Sequence, residues 1–288
     1  MDYFIILLER LEGEQMKEAI RIRRVTAIDE IHAVQKLEKQ IWNMEPIPVH
    51  QTITAVKNGG LIVGAFAGER MIGYSYSFPG FSEGQSYLCS HMLAVDHEFQ
   101  SMGIGRLLKE EQLRLAREMG YELIVWTFDP LESRNAYLNT AKLYGVSYEY
   151  IVNCYGELED GLNKGLPTDR FQLAWWINSP RVKEQWQPSG IDYICPFQIA
   201  LANHQHPVLQ RTEGKDWLTS DAIEVPVPKH IQRIKVDNPE LALDWRMKTR
   251  ELFQQLCNEG YALINVRRTE ETVQYYQFFR LSEVPLSE

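Results

Sequence analysis

The residues with the clearest chemical potential in this chain are Gln100, Ser101, Met102, Gly103, Ile104, Gly105 and Arg106. Their order, Q-x-x-G-x-G, follows an apolar run over 87–95 that is short enough, and rich enough in strand formers, to read as a buried strand. After it Ile104, Leu107, Leu108, Leu115 and Met119 recur at helical spacing, so the glycines sit where a strand hands over to a helix. The first N–H groups of a helix have no acceptor inside it, and the helix dipole adds partial positive charge there. Such a junction can hold a diphosphate, and glycines let it come close to the backbone. Arg106 and Lys109 either add local positive charge or form a solvated helix face. The order differs from the G-x-G-x-x-G of dinucleotide-binding turns, which argues against that fold.

Four further places carry groups suited to chemistry. His91 lies in the strand before the turn and has the side chain best matched to proton transfer near neutrality. Asp129 follows a second apolar strand, 123–127, and is a carboxylate that could act on substrate; Asp129-Pro130-Leu131-Glu132 also reads as an N-cap, a proline at N1 and a glutamate at N3. Glu132, Asn135, Asn139 and Lys142 then form one polar stripe at helical spacing. Asp169-Arg170 opens a closing strand, where Arg170 could clamp a carboxylate bidentately or pair with a nearby acid. His204-Gln205-His206 has strand-like ligand spacing without a third partner, so no metal is assigned. Trp126, Trp175 and Trp176 read as core.

These groups need a scaffold, and the pattern supplies one. Residues 1–18 read as a helical or loosely held extension. An alternating strand at 20–25, helices over 29–42 and 48–56, and a hairpin of 61–67 with 71–78 precede the strand before the turn. After it come the strand 123–127, a helix over 130–144, and closing strands at 148–152 and 171–177. Polar, proline-bearing segments at 178–180 and 187–190 set a domain boundary. The remainder, 190–288, holds a strand at 222–227, a helix over 239–258, and strands at 261–267 and 272–281. Residues 118–124 and 258–264 line up as helix–glycine–strand junctions: either a decayed half-repeat or two ordinary glycine C-caps.

The stretch 93–106 resembles the GNAT superfamily of acyl-CoA-dependent N-acyltransferases, whose R/Q-x-x-G-x-G/A signature follows a strand ending in a pattern like Leu93-Ala94-Val95. A poorly characterised bacterial branch of predicted acetyltransferases is closer still. That resemblance is carried by Ser90-His91-Met92-Leu93-Ala94-Val95, by Trp126-Thr127-Phe128-Asp129-Pro130-Leu131 with Asn135-Ala136 and Leu138-Asn139, and by Gly165-Leu166-Pro167-Thr168-Asp169-Arg170-Phe171. It implies an α/β GNAT acyltransferase fold with a mixed, partly splayed sheet over 20–178. It also implies acetyl-CoA or another acyl-CoA as co-substrate. The turn's amides would cradle the diphosphate, Leu93, Ala94 and Val95 would pair with the pantetheine arm, and an amide near Met92 or Leu93 would face the thioester oxygen. Asn135 would bond the arm. His91 stands where some arylalkylamine-acetylating relatives carry a histidine, which makes it the candidate base with Asp129 as rival. The tyrosine that often protonates the departing thiolate falls at Thr140, so Tyr137, Tyr144 or water must serve. Arg170 would meet an acceptor or donor carboxylate.

The reading is therefore an N-acyltransferase acting on a primary amine of a small molecule such as an amino acid, with a non-catalytic acyl-CoA-binding or sensing protein as the alternative. The segment 190–288 would cap the cleft, pack on the domain or make a homodimer. With 30 Lys and Arg against 39 Asp and Glu, a net charge of -9 offers nucleic acid no hold. Cys89, Cys154, Cys195 and Cys257 are scattered, as in a reducing cytoplasm. The apolar run near the amino terminus is too short to span a bilayer and lacks a basic start, so a cytoplasmic protein without membrane contact is expected.

Overall fold

A computed structural model describes residues 4–7, 19–157, 164–202, 206–211 and 217–287. The chain forms two compact units, Met1–Val125 and Trp126–Glu288. The division falls inside one strand, whereas composition places a boundary at the polar stretch near 178–190.

In the first unit the elements are β1 (Phe4–Leu7), β2 (Ala19–Arg24), α1 (Ile28–Trp42), α2 (Val49–Lys57), β3 (Leu61–Ala67), β4 (Arg70–Ser82), β5 (Gln85–Val95), α3 (Ile104–Glu118) and the start of β6 (Leu123–Phe128). The strands lie in that order, each antiparallel to the next except the parallel pair β5–β6. Of the extension read as helical or loosely held, residues 4–7 form instead a strand paired with β2 from Phe4↔Ile22 to Leu7↔Ala19. An apolar tetrapeptide beside an open strand edge gains ladder hydrogen bonds that a single helical turn cannot offer. The rest of that extension lies outside the described residues.

Alternation along β4 shows how the helices cover its two faces. Tyr74 and Tyr76 join Ile31, Val34, Leu37, Ile62, Phe66 and Ala94 in a buried cluster with α1. Ser75 and Ser77, between and beside them, point the other way and meet Gln112 of α3. Every residue of β3 is buried, as a strand covered on both faces requires. α3 ends at Gly120, whose φ of 84° lets Tyr121 N donate to Ala116 O at 3.0 Å.

The second unit holds the end of β6, α4 (Ser133–Ala136) running into a π-helix at Tyr137–Lys142, β7 (Val146–Ile151), β8 (Arg170–Trp176), α5 (Pro180–Lys183), β9 (Phe197–Leu201), β10 (Pro207–Arg211), β11 (Ala222–Pro228), α6 (Ile231–Asp237), α7 (Pro239–Asn258), β12 (Tyr261–Arg267) and β13 (Val273–Arg280). Strands run β8-β7-β12-β13-β11, with β9 and β10 as a separate hairpin. Its core is aromatic: Phe171 and Phe253 lie 4.9 Å apart, beside Tyr276, Phe278 and the fully buried Trp245. Trp175 is fully buried and Trp126 meets its ring edge-on at 5.7 Å. Asn238 caps α7 by accepting from Leu241 N at 3.0 Å, and Pro239 occupies its first turn. Gly120 and Gly260 share left-handed φ values, 84° and 80°. β6, however, is parallel to β5, while β12 is antiparallel to both its neighbours. The two segments therefore share a capped junction and differ in strand pairing.

Candidate active site

β5 ends at Asp96, which organises the chain into the turn. Its amide donates to Ile72 O at 2.8 Å, its Oδ1 accepts from Glu98 N at 3.2 Å, and its Oδ2 pairs with Arg70 at 2.6 Å. Sequence reasoning passed over this residue, although an aspartate directly after a strand and before a short turn is an N-cap signal. A 3-10 turn at His97–Phe99 follows, then Ser101 and Gly103 with φ of 67° and 81°. Gln100 Nε2 donates back to Val95 O at 3.2 Å, which sets the turn against the strand end.

Among the described residues no side chain caps the start of α3. Its first helical bond is Leu107 N to Gly103 O, so the amides of Ile104, Gly105 and Arg106 have no acceptor within the helix. A Cβ at Gly103 would meet nothing within 4 Å, and one at Gly105 only Leu93 Cδ2 at 3.8 Å. The space over those amides is open, and the donor set suits a diphosphate. Arg106 pairs with Glu110 at 2.7 Å, which offsets much of its charge. The hold on an anion thus falls mainly to the backbone.

β5 presents the second component. Its parallel ladder to β6 covers Leu88↔Ile124 and Cys89↔Val125 and, among the described residues, stops there. The register to β4 jumps from Ser77↔Ser90 to Tyr76↔Met92, so His91 is the extra residue of a β-bulge. Because Asp96 N bonds Ile72 O, antiparallel alternation turns the backbone groups of Met92 and Ala94 toward β4 and those of Leu93 and Val95 toward the other edge. Of the two amides considered for the thioester oxygen, geometry therefore favours Leu93.

The His91 ring lies 5.6 Å from Phe78 and 6.3 Å from Tyr76, with its outer edge in solvent. Loss of water on its aromatic side lowers its pKa below the ordinary 6.5, so the imidazole is neutral at pH 7. Lys109 departs from both sequence readings: it is 2 % exposed, with its amine donating to Ser90 Oγ at 2.7 Å and to Gln112 Oε1 at 3.2 Å. Burial brings its pKa down to about 7, against a smaller opposing effect of Cys89. The helical face at 109 and 112 is polar in sequence yet faces the strands, because serines of β4 and β5 supply its partners.

In the second unit the remaining candidates are engaged locally. Asp129 does not cap a helix at 130: its Oδ1 accepts from Leu131 N at 2.8 Å in a tight turn, and α4 begins at Ser133. Its carboxylate bonds Arg246 at 2.6 and 2.7 Å and lies 3.8 Å from Arg170. Glu132, of the polar stripe, is half-buried and accepts from Gln232 at 2.7 Å; burial raises its pKa. Asn139, of the same stripe, is buried, while Asn135 is exposed. Arg170 is buried, with Nη1 donating to Asp169 O at 2.8 Å and its guanidinium 5.3 Å from the Tyr155 ring. Asp169 accepts from Arg250 twice at 2.8 Å. Tyr137 packs beneath Arg268 and Lys142, and Tyr144, with φ of 60°, donates to Gln185 Oε1 at 3.3 Å. Buried His206 faces Asp237 at 3.0 Å, while His204 lies outside the described residues. Among the described residues no group of three metal-binding side chains occurs, and no helix is long and apolar enough to cross a membrane.

Comparison with known proteins gives a similarity over part of the chain. Residues 25–139 match the sequence profile of the acetyltransferase (GNAT) family, a span that includes β5, the glycine turn and α3. Over that span the chain is similar to GNAT acetyltransferases, and the mixed α/β architecture with the parallel pair β5–β6 among the described residues is consistent with it. No curated protein matches the sequence. Similar solved structures include a ribosomal-protein alanine N-acetyltransferase from Escherichia coli, at 13% identity over 60% of this chain and 99% of that one, with a TM-score of 0.44. Ard1 from Thermoplasma volcanium is 17% identical over 54% and 95%, with a TM-score of 0.41. An aminoglycoside acetyltransferase from an uncultured soil metagenomic sample is 18% identical over 40% and 82%, with a TM-score of 0.36. The similarity to the family is carried by the profile match over 25–139 and not by these likenesses.

Proposed function

We propose that the chain transfers an acetyl group from acetyl-CoA to a primary amine of a small molecule, amino acids included, by direct attack of the amine. The observation that supports this most is the continuity of two backbone features among the described residues: a helix start without a side-chain cap and with open space at its glycines, and a strand that is unpaired with β6 from Ser90 onward. Acyl-CoA supplies an activated thioester. The amides of Ile104, Gly105 and Arg106 bind its phosphates, Leu93 and Val95 align its arm like an added strand, and the Leu93 amide donates to the carbonyl oxygen as charge develops there.

Proton balance decides what else is needed. An amine of pKa near 10.4 is about one part in 2,000 neutral at pH 7, a cost of roughly 4.6 kcal/mol, so a strongly basic acceptor requires a base. His91 takes that role in its neutral form. Asp129 is set aside as the base, since Arg246 and Leu131 N occupy its oxygens. Thr140, at the position of the family's usual tyrosine, is buried with its hydroxyl on Ala136 O at 2.8 Å. That supports the second reading, an acyl-CoA-binding protein without turnover. Thiol release from acetyl-CoA and succinyl-CoA across a panel of amines separates them. Amine-dependent release is expected; CoA binding with no release by any amine overturns the transferase reading.

A further inference from the structure

Between β4, β5 and α3 lies a buried polar cluster. Gln112 is fully buried; its Nε2 donates to Ser75 Oγ at 2.8 Å and Ser77 Oγ at 2.7 Å, and its Oε1 accepts from Ser90 Oγ at 3.2 Å. Ser77 Oγ donates on to Leu61 O at 3.3 Å. Lys109 completes it through Ser90 and Gln112. Polar groups from β3, β4 and β5 are thus tied to α3, the helix whose first turn presents the phosphate-binding amides. Ser90 is the last paired residue before the bulge at His91.

A buried amine is less favourable than an apolar side chain of the same volume, and one use of such a group is to fix a specific geometry. Here the geometry fixed is a bulge, a place where ladder hydrogen bonds are broken and the strand is otherwise free to shift. We propose that Lys109 is a positioning residue of the acyl-transfer site: by bracing Ser90 against α3 it fixes the bulge at His91, and with it the direction of the Leu93 amide. This rests on the reading of β5 as the strand that meets the thioester. The titratable neighbours are few. β5 contributes Cys89, whose thiol is pushed up by burial; the face of β4 turned to α3 contributes Ser75 and Ser77, β3 carries no titratable residue, and Glu111 on α3 pairs with Arg114 at 2.7 Å. The amine's pKa of about 7 makes its charge change readable apart from that of His91, which titrates lower.

The test compares wild type with Lys109→Met and Lys109→Gln. For folded Lys109→Met, CoA affinity by calorimetry is expected to stay within about threefold, while kcat falls at least about tenfold because a small misplacement of the reacting groups is costly. An inflection of kcat near pH 7 should be present in wild type and absent in Lys109→Met, with Lys109→Gln recovering part of the rate. Unchanged kcat and pH profile in folded Lys109→Met overturn the proposal. A second readout is independent of turnover: the amide NMR signals of His91 and Leu93 should move with a midpoint near pH 7 in wild type and not in Lys109→Met, and signals that do not move overturn it. Where wild type turns over no amine, the transferase reading fails and this NMR arm alone decides the role of Lys109. Should Lys109→Met fail to fold, Ser90→Ala breaks the same link from the strand and is read in the same ways.

Discussion

Gly103 and Gly105 serve the turn for different physical reasons. Gly103 adopts a φ of 81°, which costs a side chain about 1 to 2 kcal/mol, so its glycine is a backbone requirement. Gly105 has no such φ, and a Cβ there would touch only Leu93 Cδ2 at 3.8 Å. Its missing side chain keeps the amides open and does little for folding. Gly105→Leu should therefore melt with the wild type while its CoA affinity falls at least about tenfold, or 1.4 kcal/mol, by calorimetry. Equal affinity would place the anion elsewhere. For His91 the sign follows from its lowered pKa: the base form is present above the folded value and lost as pH falls through it. The acid limb of kcat/KM should lie below pH 6.5, and His91→Ala should remove that limb and lower kcat/KM at least about tenfold. A limb that survives in the mutant assigns the base elsewhere.

At the scale of elements, the segment after β6 shows why local signals can mislead. Asp, Pro and Glu at 129, 130 and 132 have the spacing of a helix start, and nothing nearby contradicts it. The buried Arg246 of α7, 117 positions on, competes for the same carboxylate and holds it at 2.6 and 2.7 Å. A neutral amide cannot balance that guanidinium. Asp129→Asn should thus lower unfolding free energy by about 3 kcal/mol, the usual cost of breaking a buried pair, while leaving CoA affinity within about threefold. Denaturant unfolding and calorimetry read the two parts. A large loss of activity in a fully stable Asp129→Asn would restore Asp129 as the rival base. The bulge in β5 was equally hidden: Ser90-His91-Met92 contains no glycine, and a strand's extra residue exists only relative to its partner's register.

For the molecule as a whole, charge makes a prediction that composition alone could not. The net charge of -9 repels a polyanion such as CoA, and the groups proposed to hold its phosphates are backbone amides beside an Arg106 paired with Glu110. Binding that depended on several free Lys or Arg side chains would weaken steeply with salt. Here the CoA dissociation constant should change by less than about threefold between roughly 0.05 and 0.5 M NaCl, since added salt also screens the general repulsion. Weakening of tenfold or more would show that cationic side chains, not the helix start, carry the phosphates.

The order of strands and helices from 19 to 128, the length of α7, and the strand–glycine–helix turn were legible from residue types alone. Period, capping and the conformational demands of glycine are properties of neighbours in the chain, and neighbours are what a sequence records. Tertiary structure alone decided that Lys109 is buried, that Asp129 and Arg170 lie together with Arg246, and that β5 is bulged and, among the described residues, loses its pairing to β6 after Cys89. Each depends on a partner brought from another element, whether serines for an amine, an arginine for a carboxylate or a strand for a register. The free energy of burying a polar group is set by that partner, which residue identity and spacing do not specify.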